Sequence, residues 1–285
     1  MRHPILVTLC ITGVLGLAAC EPSADDDIEA AMEAVNAVDD TNLSQLMLST
    51  TSPEEGVAYF TRASQEKPDR IDLKRGLAIS LVRAKQPRQA ANAWREVLAM
   101  EDATEDDKIA LADALIRDGD WDGAQAALNS VPPTYETFRR YRLEAMVADS
   151  KKEWKKADSY YEVAVGLTTT PSAVLNNWGY SKLARGDFAA AEKLFTQALT
   201  YDPNLFTAKN NIALARAGQH NYTLPVVEMT QVERAQLLHT LGLAAVKQGD
   251  VTIGKGLLQE AVDSHPQHFE SAVRSLRALE DNVIN

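Results

Sequence analysis

The stretch "GYSKLARGDFAAAEKLFTQALTYDP", residues 179–203, decides the fold. Ala191, Phe195 and Ala198 stand four and three apart, on one face of a helix. Gly186 can take the left-handed backbone that ends a helix, Asp187 can cap the next one, and Pro203 stops it. The stretch reads as the end of one helix, a tight turn and a second helix. Nothing in it has the pattern of a nucleophile, a metal ligand or a phosphate loop. A single hairpin of this kind cannot bury its own apolar face, so its meaning depends on whether it recurs.

It recurs. Ala157, Tyr161 and Ala164 stand 34 residues before Ala191, Phe195 and Ala198, and Ala145 stands 34 before Gly179. Trp154 precedes Phe188 by 34 and follows Trp121 by 33. Gly56, Ala90 and Ala124 continue the series, as do Phe60 with Trp94 and Ala63 with Val97. A 34-residue unit holds two helices of about 12–14 residues and two short turns. Its small residues let two backbones approach, an aromatic ring fills the gap, and stacking buries what one hairpin leaves bare.

These positions resemble the tetratricopeptide repeat: its small, aromatic, small and proline sites are matched by Gly179, Ala191, Phe195, Ala198 and Pro203. The resemblance implies an all-α, right-handed solenoid of about six helix pairs with a C-terminal capping helix. Pairs are expected at 71–102, 105–133, 138–170 and 172–205, after a half-unit at 53–68. Phe206 to Ala217 makes a good first helix, but Asn221-Tyr222-Thr223-Leu224-Pro225 breaks its partner, which leaves open whether 219–232 interrupts the inner face. The pattern returns with Gly242, Gly249-Asp250, Gly254, Leu258, Ala261 and Pro266. A last helix at 268–281 offers Glu270, Arg274, Arg277 and Glu280 as a solvated cap. The repeat domain is 53–285; the helical segment at 28–52 does not match the repeat.

Composition agrees. Aromatics are 6% and alanine is abundant, which suits close helix packing; a net charge of -11 argues against nucleic acid as the main partner. The first 19 residues read as a signal peptide: Arg2, then an apolar run from Ile5 to Gly16 too short to span a bilayer. Leu17-Ala18-Ala19-Cys20 resembles the bacterial lipobox, which implies cleavage before Cys20 and its lipidation. Acyl chains contribute about 0.8 kcal/mol per buried CH₂, so such an anchor holds firmly. Cys10 would leave with the peptide, so one mature chain has no disulfide and no thiolate zinc site. Residues 20–27 form an acidic tether. By the bacterial sorting rule, Glu21 in place of Asp points to the periplasmic face of the outer membrane.

Several stretches imitate chemistry. Gly249 to Lys255 fits GxxxxGK, but Gly256 stands where Ser or Thr would hold magnesium, and both key glycines have packing roles. His265 and His268 lack a third ligand, and His239 has no HExxH around it. No catalytic, cofactor-binding or metal-binding set is found, so a non-enzymatic binding protein is expected.

Binding belongs on the inner face lined by the first helix of each pair. The positions one turn either side of the small residue are Arg75, Ile79, Arg83, Arg139, Arg142, Met146, Asn176, Tyr180, Leu183, Asn210, Leu214, His239 and Leu243. The four arginines would concentrate positive charge, and the asparagines offer a donor and an acceptor to an extended backbone. The lipobox, the acidic tether, the helix pairs and the segment running from Leu224-Pro225-Val226 through "MTQVERAQLLHTLGLAAVKQGD" to "LLQEAVDSHPQHFESAVRSL" together resemble the TadD family of tight-adherence (Flp pilus) lipoproteins. That resemblance implies a role in assembling or localising the outer-membrane secretin, with other pilus-assembly components as further partners. Two other roles fit the same features: a pilotin-like or barrel-assembly lipoprotein of another machine, and a periplasmic adaptor docking cell-wall hydrolases.

Overall fold

The computed structural model describes residues 44–283, so Cys20, the signal peptide and the tether lie outside the described residues. Residues 44–50 are helical. Then come α1 (Pro53–Glu66), α2 (Ile71–Arg83), α3 (Pro87–Leu98), α4 (Glu105–Asp118), α5 (Trp121–Asn129), α6 (Phe138–Ser150) and α7 (Trp154–Gly166). The second half holds α8 (Ser172–Ala184), α9 (Phe188–Tyr201), α10 (Phe206–Ala217), α11 (Gln231–Lys247), α12 (Val251–Ser264) and α13 (Glu270–Val283). Among the described residues there is no strand, and no helix is long and apolar enough to cross a membrane.

The helices pack as successive antiparallel pairs, α2 with α3, α4 with α5, α6 with α7, α8 with α9 and α11 with α12. This is the all-helical solenoid the 34-residue period predicts. Starts are set locally: Ser52–Glu55, Thr104–Asp107 and Thr230–Glu233 form reciprocal capping boxes. Asp120 and Asp187 cap α5 and α9 through Gly123 N (2.9 Å) and Ala190 N (3.3 Å).

The turn after each first helix from α2 onward is made the same way. Lys85, Gly119, Lys152, Gly186, His220 and Gly249 all have positive φ, between 56° and 93°. Only three are the glycines that this backbone favours. The core is built from alanines and single large rings: Phe60, Tyr161 and Phe195 are fully enclosed, among Ala78, Ala90, Ala145, Ala157, Ala191 and Ala198.

His220 supplies the usual turn after α10, yet no second helix follows. Asn221 Oδ1 accepts instead from Thr223 N (3.1 Å) and Thr223 Oγ1 (2.7 Å), a local turn that competes with a helix start. In a helix capped at Asn221, Pro225 would fall just past the first turn that tolerates proline, at the first position whose N–H has to bond back to the preceding turn. The chain crosses as a strap, with Tyr222, Leu224 and Met229 packed against the α10–α11 core and Val227 against the α9 core. Arg216 fixes it, donating to Leu224 O (2.9 Å) while pairing with Glu192 (2.8 Å).

Candidate functional site on the first-helix face

On α6, Arg139, Arg142, Met146 and Asp149 follow one another at helical spacing and share a face. Beside Met146 a cleft of about 320 Å³ opens between α6 and α8. Trp121 and Trp154, the first residues of α5 and α7, wall one side; Asn176, Tyr180 and Ala184 of α8 and Asn211 of α10 wall the other. Tyr161 forms part of the floor, its hydroxyl donating to Asp149 Oδ2 at 3.0 Å, while Ser181 Oγ donates to Oδ1 at 2.6 Å. Burial pushes the Asp149 pKa above its ordinary value even though both hydroxyls favour the carboxylate.

The amides are linked across repeats. Asn211 Nδ2 donates to Asn176 Oδ1 at 3.2 Å, and Asn177 Nδ2 approaches Met146 Sδ at 3.5 Å. Tyr180 is 59% exposed over this row, a large ring left in water. The structure therefore brings Met146, Asn176 and Tyr180 together as the sequence places them.

The arginines divide. Arg75 is committed to packing: it forms a two-bonded ion pair with Asp107 (2.8 and 2.7 Å) and donates to Asp102 O (3.0 Å). Burial alone would raise the Asp107 pKa, but Arg75 and the Thr104 N–H more than offset it, and the carboxylate lies below its ordinary value. Arg83 closes the end of the 44–50 helix, donating to Leu48 O and to Thr51 O (3.0 Å). Both expectations are corrected: the carbonyls and carboxylate of neighbouring repeats consume these guanidiniums. Arg139 and Arg142 have no hydrogen bond or ion pair among the described residues, and the Arg142 Nε is buried without a partner. Burial and the nearby Arg139 and Arg117 lower the Arg142 pKa, against the pull of Asp113. Asp113 is itself paired with Arg117 at 3.0 Å, so its charge is already engaged.

Two further positions are spent internally. Asn210 Oδ1 accepts from Thr240 Oγ1 (2.8 Å), tying α10 to α11. His239 faces the capping helix, 3.1 Å from Ser275 Oγ with its ring against Phe269, and burial lowers its pKa. Leu214 is half-buried, whereas Ile79 and Leu243 are exposed.

Sequence reasoning missed Arg117 and Asp113, because no residue of 105–118 was counted among the inward positions, and passed over Asp149, although it stands one turn after Ala145 as Leu183 does after Gly179. Trp121 and Trp154 were visible as a recurring pair but read as packing residues. The GxxxxGK match is a helix crossing: a Cβ at Gly254 would stand 2.8 Å from Gly242 O. His265 Nδ1 meets the Gln267 backbone and His268 pairs with Glu270.

A family model described as "Tetratricopeptide repeat" matches residues 176–224, which span the α8 wall of the cleft and the start of the strap. The comparison with curated proteins finds no match. Solved structures of similar fold include the Cut9–Hcn1 hetero-tetramer of the APC/C, with TM-score 0.59 at 13% identity, covering 83% of this chain and 48% of that one. Human IFIT1 bound to m7Gppp-AAAA gives TM-score 0.61 at 15% identity, covering 84% and 62%. PilW, described as a widely conserved type IV pilus biogenesis factor, gives 0.51 at 17%, covering 68% and 92%. The chain thus spans about half of the first of these proteins and under two thirds of the second. Repeat period, helix pairing and these likenesses define a helix-pair solenoid. The fold is that of tetratricopeptide-repeat proteins, and residues 176–224 carry the repeat itself.

Proposed function

We propose that this chain is a non-enzymatic scaffold that holds extended segments of partner proteins on its first-helix face. We further propose that it acts as a lipid-anchored outer-membrane protein assembling or localising the secretin of an Flp, or tight-adherence, pilus. The observation that carries the binding reading is the cleft beside Met146. It joins apolar walls to linked asparagines from successive repeats, and Tyr180 stands exposed over it. An exposed tyrosine with a free hydroxyl offers contact area at low entropic cost. The lipobox ending at Cys20 and the C-terminal resemblance support the location and the pilus role. PilW, alike in fold, is described as a pilus biogenesis factor, so this architecture does serve one pilus system.

The test is site-specific photo-cross-linking in cells. A photoreactive residue replaces Tyr180 on the inner face or, as control, Val163, which is exposed on α7. Cross-links to a secretin from position 180 and not from 163 are expected. A cell-wall hydrolase captured from position 180 would support the adaptor role instead. Capture only from position 163 would refute the inner face as the binding surface. In the same cells Cys20→Ser should release the protein from the outer-membrane fraction; retention after a high-salt wash would refute the anchor.

A further inference from the structure

The inner face carries two unlike features side by side. One is the set of guanidiniums Arg117, Arg139 and Arg142, in which Asp113 is already paired with Arg117 and the Arg142 Nε is buried and unsatisfied. The other is the apolar cleft beginning at Met146. Arg142 and Met146 are four residues apart on α6, so these features are offset by one helical turn, about 6 Å along the axis. An extended chain places side chains on one face every second residue, about 6.6 Å apart. The two spacings agree.

We propose that the first-helix face recognises segments in which an acidic residue and a bulky apolar residue stand two positions apart. This rests on the reading that the face binds extended segments, and it names their chemistry. The carboxylate of the partner would sit between Arg139 and Arg142, giving the Arg142 guanidinium the anion the fold withholds; charge-assisted bonds of this kind are the strong ones. The apolar side chain would enter between Trp154 and Tyr180. Beyond the apolar residue the partner's backbone would meet the Asn176–Asn211 row of the following repeats, which has amide donors and acceptors to spare. A basic partner is disfavoured at the arginines. Asp149, the one carboxylate in the cleft, already accepts two hydroxyls and lies in the floor.

The test uses the intact purified protein and an array of nine-residue peptides in a serine–threonine background. Each carries one glutamate and one phenylalanine, in both orders, separated by one to five positions. Binding should peak at a separation of two, and glutamate→lysine should weaken it at least tenfold. Arg142→Gln should abolish the preference for glutamate over glutamine while leaving phenylalanine selection intact. Ala184→Trp, placed at the exposed rim of the cleft, should do the reverse. Circular dichroism confirms that both variants are folded. Equal binding at all separations, or preference for the lysine peptides, overturns the proposal. A natural partner cross-linked at position 180 through a segment lacking the spacing also overturns it, while leaving the scaffold reading intact. If no peptide of any composition binds and position 180 captures nothing, both readings fall together.

Discussion

Gly179→Ala tests the packing logic of the whole array, because two known effects oppose each other there. Alanine is the better helix former by about 1 kcal/mol, so in an open helix the change would stabilise. Here a Cβ would lie 2.6 Å from Phe195 Cε1, 2.7 Å from Cδ1 and 3.0 Å from Cζ. Carbon atoms rest at about 3.5–4.0 Å, so the ring would have to retreat by about 1 Å. It has nowhere to go: Phe195 is fully buried, with Ala191 and Ala198 in the same core. Overpacking of this kind costs about 1–3 kcal/mol, and the near-complete enclosure places it in the upper half of that range. The net expectation is a loss of about 1–2 kcal/mol, read as a lower urea midpoint by far-UV circular dichroism with an unchanged slope. Adding Phe195→Leu, which removes the ring the new methyl strikes, should make the alanine nearly harmless, a coupling of at least about 1 kcal/mol. A Gly179→Ala protein more stable than wild type by about 1 kcal/mol would show that helix propensity governs this site and that the backbones do not need the close approach.

Two further outcomes follow from the structure. Lys152 sits at φ 59° in a turn where three of its counterparts, Gly119, Gly186 and Gly249, are glycines. A left-handed backbone costs a side-chain-bearing residue about 1–2 kcal/mol, and glycine's greater unfolded freedom returns about 0.4–1 of it. Lys152→Gly should therefore raise stability by about 0.5–1 kcal/mol, and an unchanged melting temperature would refute the strain. Asp158 accepts from Arg185 (2.6 and 3.0 Å), Lys182 (2.9 Å) and Trp178 (2.7 Å). Burial works to raise its pKa, but these donors outweigh it and hold the group at about 2, below the ordinary 3.8. A depressed carboxylate stabilises the fold above its unfolded value. That contribution, about 1–2 kcal/mol after solvent screening, is lost as pH falls from about 5 towards 2. Asp158→Asn should flatten this part of the stability–pH curve, and an undiminished slope would assign the acid sensitivity elsewhere.

The fold was legible because the repeat leaves its mark in residue size. Gly179, Ala191, Phe195 and Ala198 specify a close helix crossing whatever surrounds them, and the 34-residue interval says how many crossings there are. The face proposed for binding was half legible. Position along a helix predicts which way a side chain points, and so Met146, Asn176 and Tyr180 were found. It says nothing about whether the neighbouring repeat offers that side chain a partner. Arg75 and Arg142 occupy equivalent-looking inward positions. Arg75 meets the Asp107 that closes a capping box, and Arg142 meets Asp113 already held by Arg117. One arginine is thereby committed to packing and the other is not, and that difference lies in the neighbouring repeats: Asp107 in the repeat after Arg75, Asp113 and Arg117 in the repeat before Arg142.

The strap answers the question the sequence left open, and the answer depends on which layer it interrupts. A solenoid of helix pairs has an inner row of first helices and an outer row of second helices. What is missing after α10 belongs to the outer row. In the inner row α10 packs against both α8 and α11, and α6 packs against α8. Asn210 is bonded to Thr240, and Lys209, enclosed in this contact, pairs with Glu233 at 3.0 Å. Glu233 also completes the cap of α11, so the ion pair fixes where the next pair begins. Burying a lysine is costly unless it is paired, and this pairing spends its charge on holding the inner row together. The outer row is closed by Leu224, Val227 and Met229 in place of a helix, with Val226 left 98% exposed at the bend. The inner face is therefore continuous from α4 to α11, and a bound segment that fills the cleft beside Met146 can run on past Asn211 without meeting a gap.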